Sequence, residues 1–232
     1  MDNIKKTQEY FNKSFSKLEK IKIKKQIDII KATNESLKNK LYGKVLDIGS
    51  GGNFYYPINN INKIVCADIS FSSLKRILKN EKIEPIVMDV RQLALYDNFF
   101  DCVIILHTLH HLAGNKLYET KNNLLDCLKE TYRVLKTGGK IFIIDAFFNK
   151  KIEQLENIFY KSLFLTFKVF NKPMVYYFSY IQVKKILQII GFKNISLNTL
   201  STANAKLCPF DMSIGIPFKY TGLKHILIEA EK

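Results

Sequence analysis

At 232 residues, with 47% hydrophobic and 25% charged side chains, the chain suits one soluble domain with a core of strands and covering helices. Its four cysteines, Cys66, Cys102, Cys127 and Cys208, stand far apart with no CxxC pair, which argues against a disulfide framework or a zinc site. The net charge of +15 is uneven: residues 1–44 carry 12 basic and 5 acidic side chains, a net +7, and residues 150–193 carry 8 and 2, a net +6.

That placement suits an acidic or phosphorylated partner. It also suits plain lysine-rich usage, since 33 of the 36 basic residues are lysine. Residues 1–25 alternate apolar and charged positions and lack the unbroken apolar run of a signal peptide, so a cytoplasmic protein is expected. The most apolar stretch, residues 152–183, is interrupted by Lys161, Lys168, Lys172 and Pro173, which disfavours a transmembrane segment.

In chain order, residues 4–39 read as helix, with Ile4, Phe11, Phe15, Leu18, Ile21, Ile27, Ile30 and Leu37 at roughly helical intervals. Short apolar runs at 45–48, 64–67, 85–88, 103–106 and 141–144 then read as buried strands. Helices are expected near 72–80 and over 116–135, the second stopped by Gly138-Gly139. Strands alternating with helices imply an α/β fold with a parallel sheet covered on both faces. Residues 150–180 are aromatic and basic. A helix over 183–190 ends at Gly191, strands follow near 195–197 and 226–228, and about 25 residues between these strands show no clear period.

Chemistry concentrates at the strand ends. The first strand runs into Asp47-Ile48-Gly49-Ser50-Gly51-Gly52-Asn53, where glycines allow a tight turn and a close ligand. Alone, that turn is equally a plain structural feature. Asp68 ends the second strand, where a carboxylate can accept from a ribose diol, and Asp89 ends the third, where it can accept from an adenine amino group. Asp101 begins the fourth strand and Asp145 ends the fifth. The dinucleotide fingerprint GxGxxG is absent, because Phe54 stands where its third glycine belongs. A ligand with ribose and adenine but no phosphates fits better.

VLDIGSGGN (45–53), ADIS (67–70), the run MDVRQLALYDNFFDCVIILHTLHHL (88–112), LKETYRVLKTGGKIFIID (128–145) and YIQVKKILQIIGFKNI (180–195) together resemble the class I, Rossmann-like S-adenosylmethionine-dependent methyltransferases, in particular those that modify small molecules. The resemblance covers about residues 41–232, with 150–176 the least matched, and it is specific for cofactor and fold rather than for acceptor. It implies a three-layer sandwich around a seven-stranded, mostly parallel sheet with the last strand antiparallel. Residues 1–40 would form a helical N-terminal cap, and 41–232 the catalytic domain with an inserted helical cap at about 150–180.

The resemblance further implies S-adenosyl-L-methionine as cofactor and S-adenosyl-L-homocysteine as product. Asp47, Gly49 and Gly51 would belong to the cofactor-binding turn. Asp68 would hold the ribose, Ile69 would pack on adenine, Asp89 and the Val90 amide would read the adenine edge, and Leu106 and His107 would meet the methionine end. Asn53 replaces a third glycine of the family's turn, which puts the loop geometry in question. Tyr10 and Phe11 would close over the cofactor.

His107, His110 and His111 follow the fourth strand, where the methyl group should point, and His110 and His111 are the expected catalytic bases. Each could also cap, pack or bond to backbone, and no metal is expected there. Phe210 and Tyr220 are candidate pocket liners; the aromatic residues of 159–180 serve mainly as cap core, with a hydrophobic acceptor or a membrane-surface role as an alternative. The expected reaction moves a methyl group to an O, N or C atom of a small acceptor, acidic or hydrophobic in character. Its rivals are an RNA methyltransferase using the basic flanks and a non-catalytic adenosylmethionine-binding protein. The fourth strand is followed by neither an Asp/Asn-Pro-Pro-aromatic motif nor a Pro-Cys nucleophile, which disfavours the nucleic-acid reading.

Overall fold

The computed structural model describes residues 2–13, 27–77, 81–202, 206–207, 216–217 and 220–232. Residues 3–13 are helical (α1), and a second helix, α2, spans Ile27–Leu37. The expected helix through 14–26 lies outside the described residues, as do Phe210 and most of the connection around it.

A central sheet then forms from β1 (Gly43–Ile48), β2 (Ile61–Asp68), β3 (Ile83–Val87), β4 (Phe100–Leu106) and β5 (Leu135–Phe147). Between them stand α3 (Phe71–Leu74), a short 3-10 turn at Leu109–His111 and α4 (Leu117–Val134). After β5 come α5 (Lys150–Ile158), α6 (Tyr160–Val169), α7 (Tyr180–Ile190) and β6 (Lys193–Thr199). Two-residue strands β7 (Lys206–Leu207) and β8 (Ile216–Pro217) pair with each other, and β9 (Lys224–Glu231) follows.

The main sheet has seven strands in the order β3-β2-β1-β4-β5-β9-β6. β1 to β5 are parallel, and β9 runs antiparallel to both β5 and β6. Alternate residues feed two cores, as strand pleating requires. Leu46, Ile48, Val103, Ile105, Ile141 and Ile143 face α4 and α7. Val45, Ile64, Cys66, Cys102, Ile104 and Phe142 face the side where Leu37 of α2 packs. Cys66, Cys102 and Cys127 are free, buried thiols.

Three sequence expectations need adjustment. The helix expected near 72–80 is a single turn, Phe71–Leu74, within the described residues. The helix expected over 116–135 is present at Leu117–Val134, but Gly138-Gly139 do not stop it: Leu135 turns straight into extended backbone (ψ 140°), and both glycines lie within β5. β5 also runs two residues beyond Asp145, because Ala146 and Phe147 keep pairing with His225 and Lys224 of β9.

α7 follows the expected logic: the Ser179 hydroxyl accepts from the Gln182 amide at its start, and Gly191 ends it at φ +116°, where glycine avoids a Cβ clash. Among the described residues no helix is long and apolar enough to cross a membrane.

Candidate functional site

The parallel strands β1 to β5 all end at one rim, and antiparallel β9 begins there, so the loops beyond these ends form one concave edge. At its β1–β2 half lies the glycine turn. Gly49, Gly51 and Gly52 adopt φ of +68°, +57° and +77°, while Asn53 lies outside the left-handed region. The non-glycine at 53 is therefore accommodated by ordinary backbone, because the special angles fall on the residues before it.

A Cβ on Gly49 would collide with the Thr108 side chain, and one on Gly52 with the Ser73 carbonyl. A Cβ on Gly51 would meet nothing nearer than the Gly49 carbonyl at 4.0 Å, so this residue borders open space. The Gly51 amide donates to Asp68 Oδ2 (2.9 Å) and the Ser70 amide to Oδ1 (2.7 Å). Each Asp68 oxygen keeps lone-pair capacity for a further donor. Burial raises the Asp68 carboxyl, while the Ser70 and Gly51 amides and the Arg76 guanidinium oppose the rise.

Asp47 is buried beneath the turn, where the Tyr56 hydroxyl donates to its Oδ2 (2.6 Å). Burial pushes this carboxyl up to about 7, with the Tyr56 hydrogen bond working against the shift and Asp68 adding to it. Asp47 thus supports the turn from below. Both oxygens of Asp89 are engaged by Arg91, through its backbone amide (2.9 Å), Nε and Nη2 (2.6 Å). The neighbouring Val90 is buried in the core.

Helix α1 lies across this half. Gln8 donates to the Ile69 carbonyl (2.8 Å), and the Asn12 side-chain oxygen accepts from the Ser70 hydroxyl (2.8 Å). At the other end of α1, buried Asn3 donates to the carbonyls of Ala113 (2.7 Å) and Met174 (3.1 Å) and accepts from the Met174 amide (2.9 Å). The helix is therefore tied to both halves of the rim.

The β4–β5–β9 half gathers imidazoles around one buried carboxylate. Leu106 ends β4, and His107 takes φ +51°, a rare angle for a non-glycine residue, with its amide donating to the Ile144 carbonyl (2.8 Å). Its ring meets His225 edge-on at 5.4 Å. His110 Nδ1 lies 2.7 Å from Asp145 Oδ1, which also accepts the Ala146 amide (2.7 Å). With Nδ1 held by the carboxylate, Nε2 is the nitrogen left to act as a base.

Burial alone would raise Asp145, but the adjacent His110 and His107 and the Ala146 amide bring it down to about 2. His107 is shifted down, chiefly by burial, with His110 adding and Asp145 opposing. His225 falls to about 3 for the same chief reason, and both rings are neutral at ordinary pH. His110 stacks on Tyr177 at 5.4 Å and 23°, and His111 meets Phe11 of α1 edge-on at 4.9 Å. Among the described residues no three His, Cys, Asp or Glu side chains form a metal-binding group.

The inserted helices add a second carboxyl. Glu156 of α5 accepts weakly from the Tyr177 amide (3.4 Å), and its buried Oε2 has no hydrogen-bond partner among the described residues. Burial pushes its carboxyl up to about 8, with the Tyr177 amide opposing and Glu153 adding. Glu153 is differently placed, accepting from the hydroxyls of Ser179 (2.6 Å) and Tyr176 (3.4 Å).

The expected site residues therefore form two groups on one rim: Asp47, Gly49, Gly51, Asp68 and Ile69 on the β1–β2 side, and Leu106, His107, His110 and His111 after β4. Asp89 follows the end of β3 beside Asp68 on the same rim, where Arg91 holds it. The sequence named Asp145 only as a strand end, and it did not single out Glu156 or His225. The signal for Asp145 was its alignment with the strand-end acids; Glu156 and His225 lie 46 and 115 residues beyond His110, with no local pattern to join them. Of the aromatic residues of 159–180, Tyr160, Tyr176 and Phe178 are core, as expected, whereas Phe159 and Phe170 are exposed, as is the candidate pocket liner Tyr220.

A parallel sheet whose last strand is reversed, with a glycine turn after β1 and an acid after β2, defines the class I, Rossmann-like methyltransferase fold. Residues 46–143 match the family model described as a methyltransferase domain, and the sheet around them has the order and directions of this fold. It is similar to an uncharacterized protein of Methanocaldococcus jannaschii, 28% identical over 167 residues, which are 72% of this chain and 62% of that one. It is 31% identical over 124 residues to a ubiquinone/menaquinone biosynthesis C-methyltransferase of Pseudomonas savastanoi, covering 48% of this chain and 44% of that protein. Over 99 residues it is 31% identical to a probable tRNA methyltransferase of Homo sapiens, covering 43% of this chain and 20% of that protein.

The chain thus spans less than two thirds of each of these relatives. Among solved structures, the geranyl diphosphate C-methyltransferase of Streptomyces coelicolor, determined with S-adenosyl-L-homocysteine, shares the fold at a TM-score of 0.64. The two are 12% identical, and the match covers 99% of this chain and 97% of that one.

Proposed function

We propose that this chain is an S-adenosylmethionine-dependent methyltransferase that moves a methyl group to an O, N or C atom of a small organic acceptor. The observation that carries the reading is the His110–Asp145 pair at the same rim as Asp68 and the open face of Gly51. The turn fits the cofactor: Asp68 has lone-pair capacity for the ribose hydroxyls, and Gly51 leaves the space a side chain would fill. Ile69 and Val90 would border adenine, with Asp89 sharing that edge with Arg91, and Leu106 and His107 would border the methionine end. When bound, the cofactor supplies an already activated methyl group on sulfur.

The protein's own part is alignment and proton handling. Asp145 holds the His110 ring so that Nε2 is available to take a proton from the acceptor. Tyr177 fixes the ring plane by stacking, and α1, tied down at Gln8, Asn12 and Asn3, covers the rim from water. In this reading residues 1–40 and about 150–180 act as caps on the domain 41–232, and the protein works in the cytoplasm.

A small-molecule acceptor is supported by the similarity to a quinone-biosynthesis C-methyltransferase. The similarity to a probable tRNA methyltransferase, together with the lysine-rich flanks, favours an RNA acceptor as the second reading. Calorimetry with adenosylmethionine, adenosylhomocysteine and NAD tests the cofactor: the first two bind, Asp68→Ala weakens both, and NAD does not bind. Binding of NAD alone overturns the proposal. Mass spectrometry of acceptor mixtures then reads the mass gain of one methyl group. Modification of RNA, lost steeply with added salt, would select the second reading. Cofactor binding with no turnover on either panel would leave a binding protein.

A further inference from the structure

α5 and α6 form one helical run with a slight break at Phe159, whose amide still bonds the Leu155 carbonyl (3.0 Å) and whose carbonyl accepts from Leu163 (2.9 Å). One side of this run is cap core: Glu153 and Tyr160 are buried, and Leu163, Phe164 and Phe167 pack on the main cluster. The opposite side is apolar and exposed. Leu155 (55%), Ile158 (73%), Phe159 (57%), Leu165 (49%) and Val169 (82%) recur at helical spacings along one outward stripe.

Exposed large side chains scattered singly need no explanation, but five in register along two helices form a patch. Lys150, Lys161 and Lys168, all exposed, lie 11 and 7 residues apart and so share one edge of the stripe. The only two acids between residues 150 and 193, Glu153 and Glu156, turn inward to Ser179, Tyr176 and the Tyr177 amide. The outer face is therefore an apolar stripe, interrupted by exposed Ser162 and Thr166, whose charged side chains within residues 150–170 are all lysines.

We infer that the outer face of α5–α6 docks on an anionic lipid surface. The stripe enters the boundary between headgroups and acyl chains, and the lysine edge meets the lipid phosphates and carboxylates. Charge decides the occupant. A second copy would bring the same lysines and the same net +15 against this face, whereas an anionic bilayer offers the opposite sign and a continuous apolar layer.

Co-sedimentation of the full chain with phosphatidylcholine vesicles, with and without phosphatidylserine, tests this. Binding is expected only with phosphatidylserine, and to fall with salt. The double variant Ile158→Ser/Val169→Ser is expected to bind about tenfold more weakly. Lys161→Gln and Lys168→Gln are each expected to cost about fivefold. All four positions are exposed, so thermal unfolding should match the parent and separate lost docking from lost folding. Absence of binding overturns the inference, as do equal binding to phosphatidylcholine alone and full phosphatidylserine binding by the double variant. A concentration-dependent dimer abolished by the double variant would instead make the face a contact between copies.

Discussion

The two halves of the rim are built on opposite principles. On the β1–β2 side, the backbone does most of the work: three glycines at positive φ and the amides of Gly51 and Ser70 hold a carboxylate whose neighbours lie close in sequence. On the β4–β5–β9 side, side chains from positions 107, 110, 145 and 225 converge on a buried cluster, and Glu156 approaches it through Tyr177, from whose amide it accepts and whose ring stacks on His110. A backbone cradle suits a constant ligand, because amides and glycines offer one geometry. A side-chain cluster can be varied residue by residue, which suits the partner that differs among members of one fold.

If that division is right, damage to one half should spare the function of the other. Asp145→Asn is expected to have the largest effect, lowering kcat by about a hundredfold to ten-thousandfold through loss of the oriented His110 base. Cofactor affinity by calorimetry should stay near the parent value. A comparable loss of cofactor binding would break the comparison. Asp68→Ala is the reciprocal test: cofactor affinity should fall by about ten- to a hundredfold, since a charged acceptor is removed from the ribose and two amides lose their partner.

The glycines sharpen the picture within the first half. Gly49→Ala places a Cβ against Thr108 at φ +68° and should cost about 2 to 4 kcal/mol in denaturant unfolding. Gly51→Ala, facing open space, should cost only about 1 to 2 kcal/mol while weakening the cofactor.

Glu156→Gln tests the second half by pH. The parent's kcat/KM should show a limb near pH 8 that the variant lacks, with a rate change of only a few-fold elsewhere. His225 is read out in stability at acid pH rather than in rate. The unfolded chain protonates this imidazole below 6.5 and the folded chain only below about 3, so stability falls as pH drops through that window. His225→Phe should flatten the acid limb of a pH series of unfolding by at most about 1.4 kcal/mol per pH unit.

Legibility in the sequence follows the same division. The β1 turn, Asp68 and Asp89 could be read because each lies at the end of a continuous apolar run, and strand ends are local events. The carboxyl end of α4 was read to within a residue, but Gly138-Gly139 was misread as its stop; pairing of Leu135 and its successors to β4 ends the helix and takes both glycines into β5. The commitment of Asp89 to Arg91 was also hidden, since a two-residue spacing says nothing about where a guanidinium folds back.

By itself, then, the sequence determined the alternation of strands and helices, the glycine turn and the acids of the first half, because those depend on period and on residues near one another. Tertiary structure alone decided that His110 is held by Asp145, that His225 and Glu156 join the same rim, and that an apolar stripe on α5–α6 faces outward. Those facts depend on β9 reversing beside β5 and on which side of the inserted helices meets the core. Such pairings are set by packing across the whole sheet and by no local pattern.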